Sequence, residues 1–270
     1  MALYGVLADI HGNLEALGAA LAALDRRGVR RLVCLGDVVG YNADPEACVA
    51  LVRSRCWVTI AGNHDLISIG RLDFRRCSIK AEYALRRTRR ELGAQSRAWL
   101  GGLPASHMLE DGVVLVHGAV RDVQQYMVTP AIIRENARLL REDFPSASVC
   151  FFGHSHEQKV YEVVADKVRD ATAGQVSLQG DSISFVNPGS VDASRKRGPR
   201  MAECALFDSR AMTVEFLRAP YDGAVVEAKS AVFGYRINAL TDRMYTLRRR
   251  TASAARRIGE RLARAAHTGR

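Results

Sequence analysis

Five short apolar runs in this chain each end in aspartate, asparagine or histidine, and that recurrence narrows the folds open to it. Residues 3–7 lead through Ala8 to Asp9 and His11, residues 31–35 to Gly36-Asp37, and residues 57–61 to Gly62-Asn63-His64-Asp65. Residues 113–116 deliver His117-Gly118, and residues 148–152 deliver Gly153-His154-Ser155-His156. Short apolar runs of this kind, punctuated by glycine, read as buried strands. Between the first two lies a stretch with Leu14, Leu17, Leu21 and Leu24 at helical spacing, a helix over residues 13–27 closed by Gly28. Asp44-Pro45 has the form of an N-cap and a first helical position, opening a helix to about Arg53. Strand and helix alternating through short links predict an α/β layering. The carboxyl ends of strands in such a sheet share one edge, so the five polar clusters would meet there. Five of the seven histidines belong to them, leaving only His107 and His267 elsewhere.

The donor set defines a chemistry. Aspartate, asparagine and neutral imidazole without thiolate make a mixed oxygen and nitrogen centre, which excludes a structural zinc finger and suits divalent ions. If the backbone beyond Phe152 stays extended, His154 and His156, two apart, point to one side. Two ions about 3.5–4 Å apart can share a carboxylate and stabilise attacking and leaving oxygens in a displacement at phosphorus.

The rest of the chain is consistent with a soluble globular protein. At 270 residues it can bury a good core, as one large domain or two small ones. No apolar stretch approaches the roughly 20 residues needed to span a bilayer. The apolar start runs into Asp9 without a basic leader, which fits a cytoplasmic protein. The six cysteines form no C-x-x-C pair and read as reduced core residues. The net charge of +10 is uneven: residues 243–270 hold nine arginines against Glu260, which is +8 of it.

Residues 74–102 look like a charged helical pair lying over the sheet beside the clusters, and residues 132–140 like a further helix. After His156, the segments 159–164, 182–186, 203–207 and 213–217 are short and spaced by Gly, Asp and Pro, as in antiparallel strands. From Ala224 the chain turns helical and basic. Ile237, Leu240, Met244 and Leu247 form an apolar stripe whose opposite face carries arginine. Three uses of this tail stand open: packing on its own domain, pairing of two copies in a homodimer, or binding nucleic acid or anionic lipid. No aromatic residues interleave the arginines from 248 to 264, which favours the first two over single-strand binding.

In order, the motifs D-x-H, G-D, G-N-H-D, H-G and G-H-x-H resemble those of the calcineurin-like metallophosphoesterase family. They are carried by Asp9-Ile10-His11, Gly36-Asp37, Gly62-Asn63-His64-Asp65, His117-Gly118 and Gly153-His154-Ser155-His156. The resemblance spans roughly residues 3–217 and implies a four-layer β sandwich flanked by helices, with a metallophosphoesterase domain over 1–220 and a basic helical extension over 221–270. It implies that Asp9, His11, Asp37 and His156 hold one metal, and that Asp37, Asn63, His117 and His154 hold the other. The ions would be manganese first, with iron, nickel or zinc as alternatives, and a hydroxide bridging them would attack phosphorus. His64 would serve the leaving-group oxygen, with Asp65 holding its tautomer. Gly36-Asp37-Val38-Val39-Gly40-Tyr41 lacks the Asp-Arg of the protein phosphatases. With Asn187-Pro188-Gly189-Ser190-Val191 it is similar to the small bacterial phosphodiesterase branch, which handles diverse phosphoesters, and the expected activity is hydrolysis of phosphodiester or phosphomonoester bonds of a nucleotide-like substrate. Asn13, Tyr41, Asn42, Arg195 and Arg197 are candidate substrate contacts; a plain turn at 41–42 and a solvated loop at 195–200 are the competing readings. The rival functions are a nuclease or nucleic-acid end phosphatase using the tail, and a non-catalytic scaffold on the same fold.

Overall fold

A computed structural model of the chain describes residues 3–109, 112–178, 180–192 and 200–247. Arg195, Arg197 and the arginine-rich stretch from residue 248 lie outside the described residues. The first half runs β1 (Leu3–Leu7), α1 (Leu14–Arg26), β2 (Arg31–Cys34), α2 (Pro45–Arg55), β3 (Val58–Thr59) and α3 (Asn63–Ser68). It continues through α4 (Ile79–Glu91), α5 (Ala94–Gly102), β4 (Ser106–Met108), β5 (Val113–Val116), α6 (Pro130–Asp143) and β6 (Val149–Phe151). The remainder is β7 (Gln158–Val164), β8 (Lys167–Asp170), β9 (Gln175–Ser177), β10 (Ile183–Pro188), β11 (Met201–Asp208), β12 (Thr213–Pro220) and α7 (Gly223–Val232).

Two mixed sheets result, ordered β3-β2-β1-β11-β12-β9 and β4-β5-β6-β10-β7-β8. Alternation along β1 shows how they pack. Tyr4, Val6 and Ala8 face the second sheet and join Leu115, Phe151 and Val186 in the apolar layer between the sheets. Leu7 faces outward with Leu17, Leu21 and Leu24 of α1. On the other side, Ile133, Ala137 and Leu140 of α6 cover Val114, Cys150 and Phe185. The layers are therefore helix, sheet, sheet, helix, which is the α/β sandwich the motif resemblance implies. No helix among the described residues is long and apolar enough to cross a membrane. All six cysteines are free, five of them buried, and burial raises the thiols of Cys56 and Cys204 to about 12.

β1, β2 and β3 are parallel, as are β5, β6 and β10. Every polar cluster follows one of these strands. Three edge strands escape the sequence reading: β4, β8 and β9 are three or four residues long, and β8 has three charged residues of four. The hairpin between β7 and β8 turns on Ala165 and Asp166, both left-handed, without the glycine that usually marks such a turn.

α7 docks on the body. Lys229 reaches Glu15 and Asp44, each at 2.6 Å. Asp44 therefore spends its carboxylate on the lysine rather than on capping α2. Residues 239–247 are helical, with Tyr245 edge-on to Tyr83 at 6.0 Å and with Leu240, Met244 and Leu247 exposed.

Gly36 and Gly62 let two ligand loops interlock. Gly36 has φ 89°, and a Cβ there would lie 2.3 Å from the Gly62 nitrogen. Gly36→Ala is expected to destabilise the fold by about 3 kcal/mol, combining left-handed backbone strain and overpacking. Urea denaturation measures it, and a change under about 0.5 kcal/mol would mean that the loops do not depend on this approach.

Candidate metal centre and catalytic cleft

The centre is built from chain reversals rather than extended strand ends. Asp9, His11, Asp37, His154 and His156 all have φ between 53° and 63°. Aspartate, asparagine and histidine tolerate this left-handed region better than other side chains do, so the donor types suit the backbone as well as the chemistry. The extended reading of Gly153–His156 is thereby corrected. His156 turns toward Asp9 and His11, whereas His154 turns toward Asp37 and His117. Gly153 is required by a close approach, since a Cβ there would sit 3.0 Å from the Asp9 carboxylate.

Backbone hydrogen bonds fix the loops to one another. The amides of Asp9, Ile10, His11 and Gly12 donate to the carbonyls of Gly36, Asp37 and Val38 at 2.9–3.1 Å. Val191 and Asp192 donate to Ala8 and Asp9 from the other side. The Ser190 hydroxyl adds a bond to the Asp9 carbonyl at 3.0 Å. Asn187 donates to the Gly153 carbonyl and to Ser155 Oγ, pinning the histidine loop. The Asn-Pro-Gly-Ser-Val stretch is thus a staple between loops, although by composition it reads only as a turn.

Donor atoms converge in three overlapping sets: Asp9, His11 and His156; His11, Asp37 and His64; Asp37, His117 and His154. In each, the ligand atoms lie within 4.8 Å of one another and all the residues are buried. His156 Nε2 is 3.2 Å from Asp9 Oδ1, and 3.1 Å from His11 Nε2. His117 Nε2 is 3.4 Å from Asp37 Oδ2, and 3.1 Å from Asn63 Oδ1. The Nδ1 of His117 bonds the Leu35 carbonyl at 2.7 Å, which turns Nε2 inward as the coordinating atom. Two imidazole nitrogens facing each other beside a carboxylate, with His11 Nδ1 and His156 Nδ1 buried and unbonded, are suited to a shared cation. The residues fit divalent metal.

The electrostatics follow from burial and proximity. Burial alone would raise the carboxyls of Asp9 and Asp37. The imidazole of His156 outweighs it at Asp9, and those of His117 and His64 at Asp37, so both stay below the ordinary carboxylate range. Burial, reinforced by His64, pushes His11 well below its ordinary value and leaves it a neutral donor. His117 is likewise desolvated, but Asp37 prevails and raises it to about 9. Asp65 rises to about 7, from burial and the nearby Asp37 charge.

The Asp65 carboxylate, expected to hold the His64 tautomer, is bonded to two backbone amides. Its Oδ2 accepts from the Gly62 amide at 2.9 Å and its Oδ1 from the Val39 amide at 3.2 Å, so it clamps two ligand loops together. Asn13, expected as a substrate contact, is fully buried, caps α1 through Ala16, and donates to Asp192 at 2.8 Å. Asn42 is 1% exposed, and both ends of its amide are spent on Asp192, His11, Ser230 and Arg236. Tyr41 lies against the rings of His11 and His64 at 4.7 and 4.9 Å.

A cleft of about 340 Å³ opens over Asn63, His64 and His154. Its walls include Tyr41, Ser78, Arg76 and Tyr126. Tyr126 covers His154 with ring centroids 4.1 Å apart, and Arg76 is braced by Asp122 at 2.8 Å. Neither is singled out by its own sequence context. For Tyr126 the signal available is position, since residues 118–128 are the loop after a ligand-bearing strand, whereas Arg76 belongs to the charged stretch 74–102 expected beside the clusters.

This chain belongs to the calcineurin-like phosphoesterase superfamily, whose domain matches residues 2–212. It is a metal-dependent phosphoesterase, a hydrolase of phosphoester bonds, with His/Asp groups placed to bind metal. It is similar to a metallophosphoesterase of Sphaerobacter thermophilus, with 29% identity and a TM-score of 0.71 over 90% of this chain and 98% of that one. A hypothetical protein of Pyrococcus horikoshii shares the fold at 18% identity and a TM-score of 0.67, over 91% and 98% of the two chains. An uncharacterised protein of Methanocaldococcus jannaschii is 28% identical over 227 residues, 82% of this chain and 88% of its own.

Asp65→Ala leaves the Val39 and Gly62 amides without their acceptor. It is expected to cost about 2–4 kcal/mol in urea unfolding. A variant of unchanged stability that lost only turnover would return Asp65 to the role of holding His64.

Proposed function

We propose that this protein is a dinuclear phosphodiesterase of nucleotide-like substrates. The observation that carries the reading is the chaining of the donor sets: Asp37 belongs both with His117 and His154 and with His11 and His64, and His11 links it on to Asp9 and His156. Asp9, His11, Asp37 and His156 would hold one ion; Asp37, Asn63, His117 and His154 would hold the second. Asp37 is the natural bridge, because a carboxylate has two anionic oxygens to share. Manganese is the first candidate, and iron, nickel or zinc suit the same nitrogen and oxygen set. When bound, the pair supplies Lewis-acid stabilisation of charge at phosphorus and an activated water.

The chain's own residues do the rest. The His64 amide donates to Asp37 Oδ1 at 2.7 Å, which fixes the bridging carboxylate. The His64 side chain lies on the cleft floor with the Tyr41 ring beside it. From there it can pass a proton to the leaving oxygen as the P–O bond breaks. Tyr126 and Arg76 line the same cleft and would face the reacting phosphate.

Chelation is expected to abolish hydrolysis of bis-aryl phosphodiesters, and titration with manganese to restore it. His64→Ala should then lower kcat by about 10²–10⁴-fold while the bound metal count stays at two. Metal-loaded wild type inert toward phosphodiesters, phosphomonoesters and cyclic nucleotides alike would overturn the reading. A His64→Ala variant within twofold of wild type would remove His64 from the chemistry.

A further inference from the structure

We propose that a second cavity beside the catalytic cleft is a subsite for the leaving alcohol of a phosphodiester, and that this alcohol carries a phosphate of its own. The inference rests on the phosphodiesterase reading above and deepens it to a substrate class. The cavity, about 430 Å³, is lined by Tyr41, Lys80, Arg200, Glu227, Tyr235 and Arg236 among others. It shares Tyr41 and Ser78 with the catalytic cleft, so the two are neighbouring chambers. At about 340 and 430 Å³, each falls in the size range of small-ligand pockets.

Placement assigns the chambers different halves of the substrate. Tyr41 lies against the His64 ring and lines both chambers, so it stands at the boundary between them. An alcohol whose oxygen takes its proton from His64 departs along Tyr41, into the second cavity. The half that stays on phosphorus remains in the first chamber, with Tyr126 and His154. Water adds to phosphorus, the P–O bond to this alcohol breaks with its electron pair on oxygen, and the alcohol leaves protonated.

Charge identifies what the alcohol carries. Lys80, Arg200 and Arg236 oppose the single carboxylate Glu227 among the lining residues, a net charge of +2. Arg236 is committed to the wall: Nε donates to Glu227 at 2.7 Å, Nη1 to the Tyr41 carbonyl at 3.1 Å and Nη2 to Asn42 Oδ1 at 3.0 Å. Tyr235 is buried, and its hydroxyl donates to Glu91. These contacts give the cavity rigid sides. Arg200 meets Glu227 through Nη1 at 2.6 Å with its side chain one-third exposed, and Lys80 is exposed and in no ion pair among the described residues. Both keep donors for an incoming anion. A phosphate takes such donors in charge-assisted hydrogen bonds, whereas a neutral alcohol leaves both cations without a partner.

The test compares two dinucleotides with the metal-loaded protein: pTpTp, with a terminal phosphate at each end, and TpT, with neither. The kcat/KM of pTpTp should exceed that of TpT about tenfold or more, chiefly through KM. Added salt should shrink the preference, and Lys80→Glu should bring the ratio toward one, with Arg200→Ala moving it the same way. Hydrolysis of both without a charge preference, or a preference that survives Lys80→Glu, would overturn the subsite and leave the phosphodiesterase intact. Calorimetric binding of pTpTp to His64→Ala protein separates the remaining case. Binding that Lys80→Glu abolishes supports the cavity even if no ester is cleaved, and absence of binding overturns it.

Discussion

Burying several ionisable side chains in one place is affordable only when each charge meets a partner, and this constraint governs the molecule. Asp9 and Asp37 are almost completely desolvated, which on its own would protonate them. The imidazoles of His156 and His117, at 3.2 and 3.4 Å, keep both below the ordinary carboxylate range. That arrangement demands backbone reversals at five donor positions, and the reversals demand partners in turn. The amides of residues 9–12 find theirs on the carbonyls of Gly36, Asp37 and Val38, and the Asp9 loop is held from behind by Ser190 and Asp192. Glycine stands where these loops touch because no larger residue fits.

The same network extends well beyond the donors. Asp192 collects Asn13 and Asn42, Asn42 bonds the His11 carbonyl, and Arg236 bonds Asn42. Residues from the start of α1, the loop after β2, the loop after β10 and the segment after α7 therefore meet in one polar cluster behind the centre. Such a cluster is costly unless satisfied, and it fixes relative placement once it is. The segment after α7 thus lines the cavity beside the cleft through Tyr235, Arg236 and Ile237, as well as packing on the body.

How much was legible in the sequence depends on which interactions are local. The parallel strands and α1 follow from apolar periodicity, and the donor residues follow from their place after those strands. The four-layer sandwich came from the motif resemblance, because strand pairing such as β1 with β11 joins residues two hundred apart. Left-handed backbone at His154 and His156 was invisible, so alternation put two rings on one side that serve different donor sets. Asn13, Asn42 and Asp65 were read as facing substrate or His64, since sequence shows a polar side chain but not the buried partner that consumes it. Tyr126 carries no sequence signal of its own, because an aromatic in a loop has no pattern, whereas Arg76 lies in the charged stretch 74–102 expected beside the clusters. Arg195 and Arg197 lie outside the described residues.

The central claim is that the interlocked loops hold two ions about a single shared carboxylate. Anomalous diffraction from crystals loaded with manganese tests it most directly. The account predicts two peaks about 3.5–4 Å apart, both in contact with Asp37, one beside Asp9, His11 and His156 and the other beside Asn63, His117 and His154. A single ion, or an ion coordinated by His64 with Asp37 uninvolved, would contradict it.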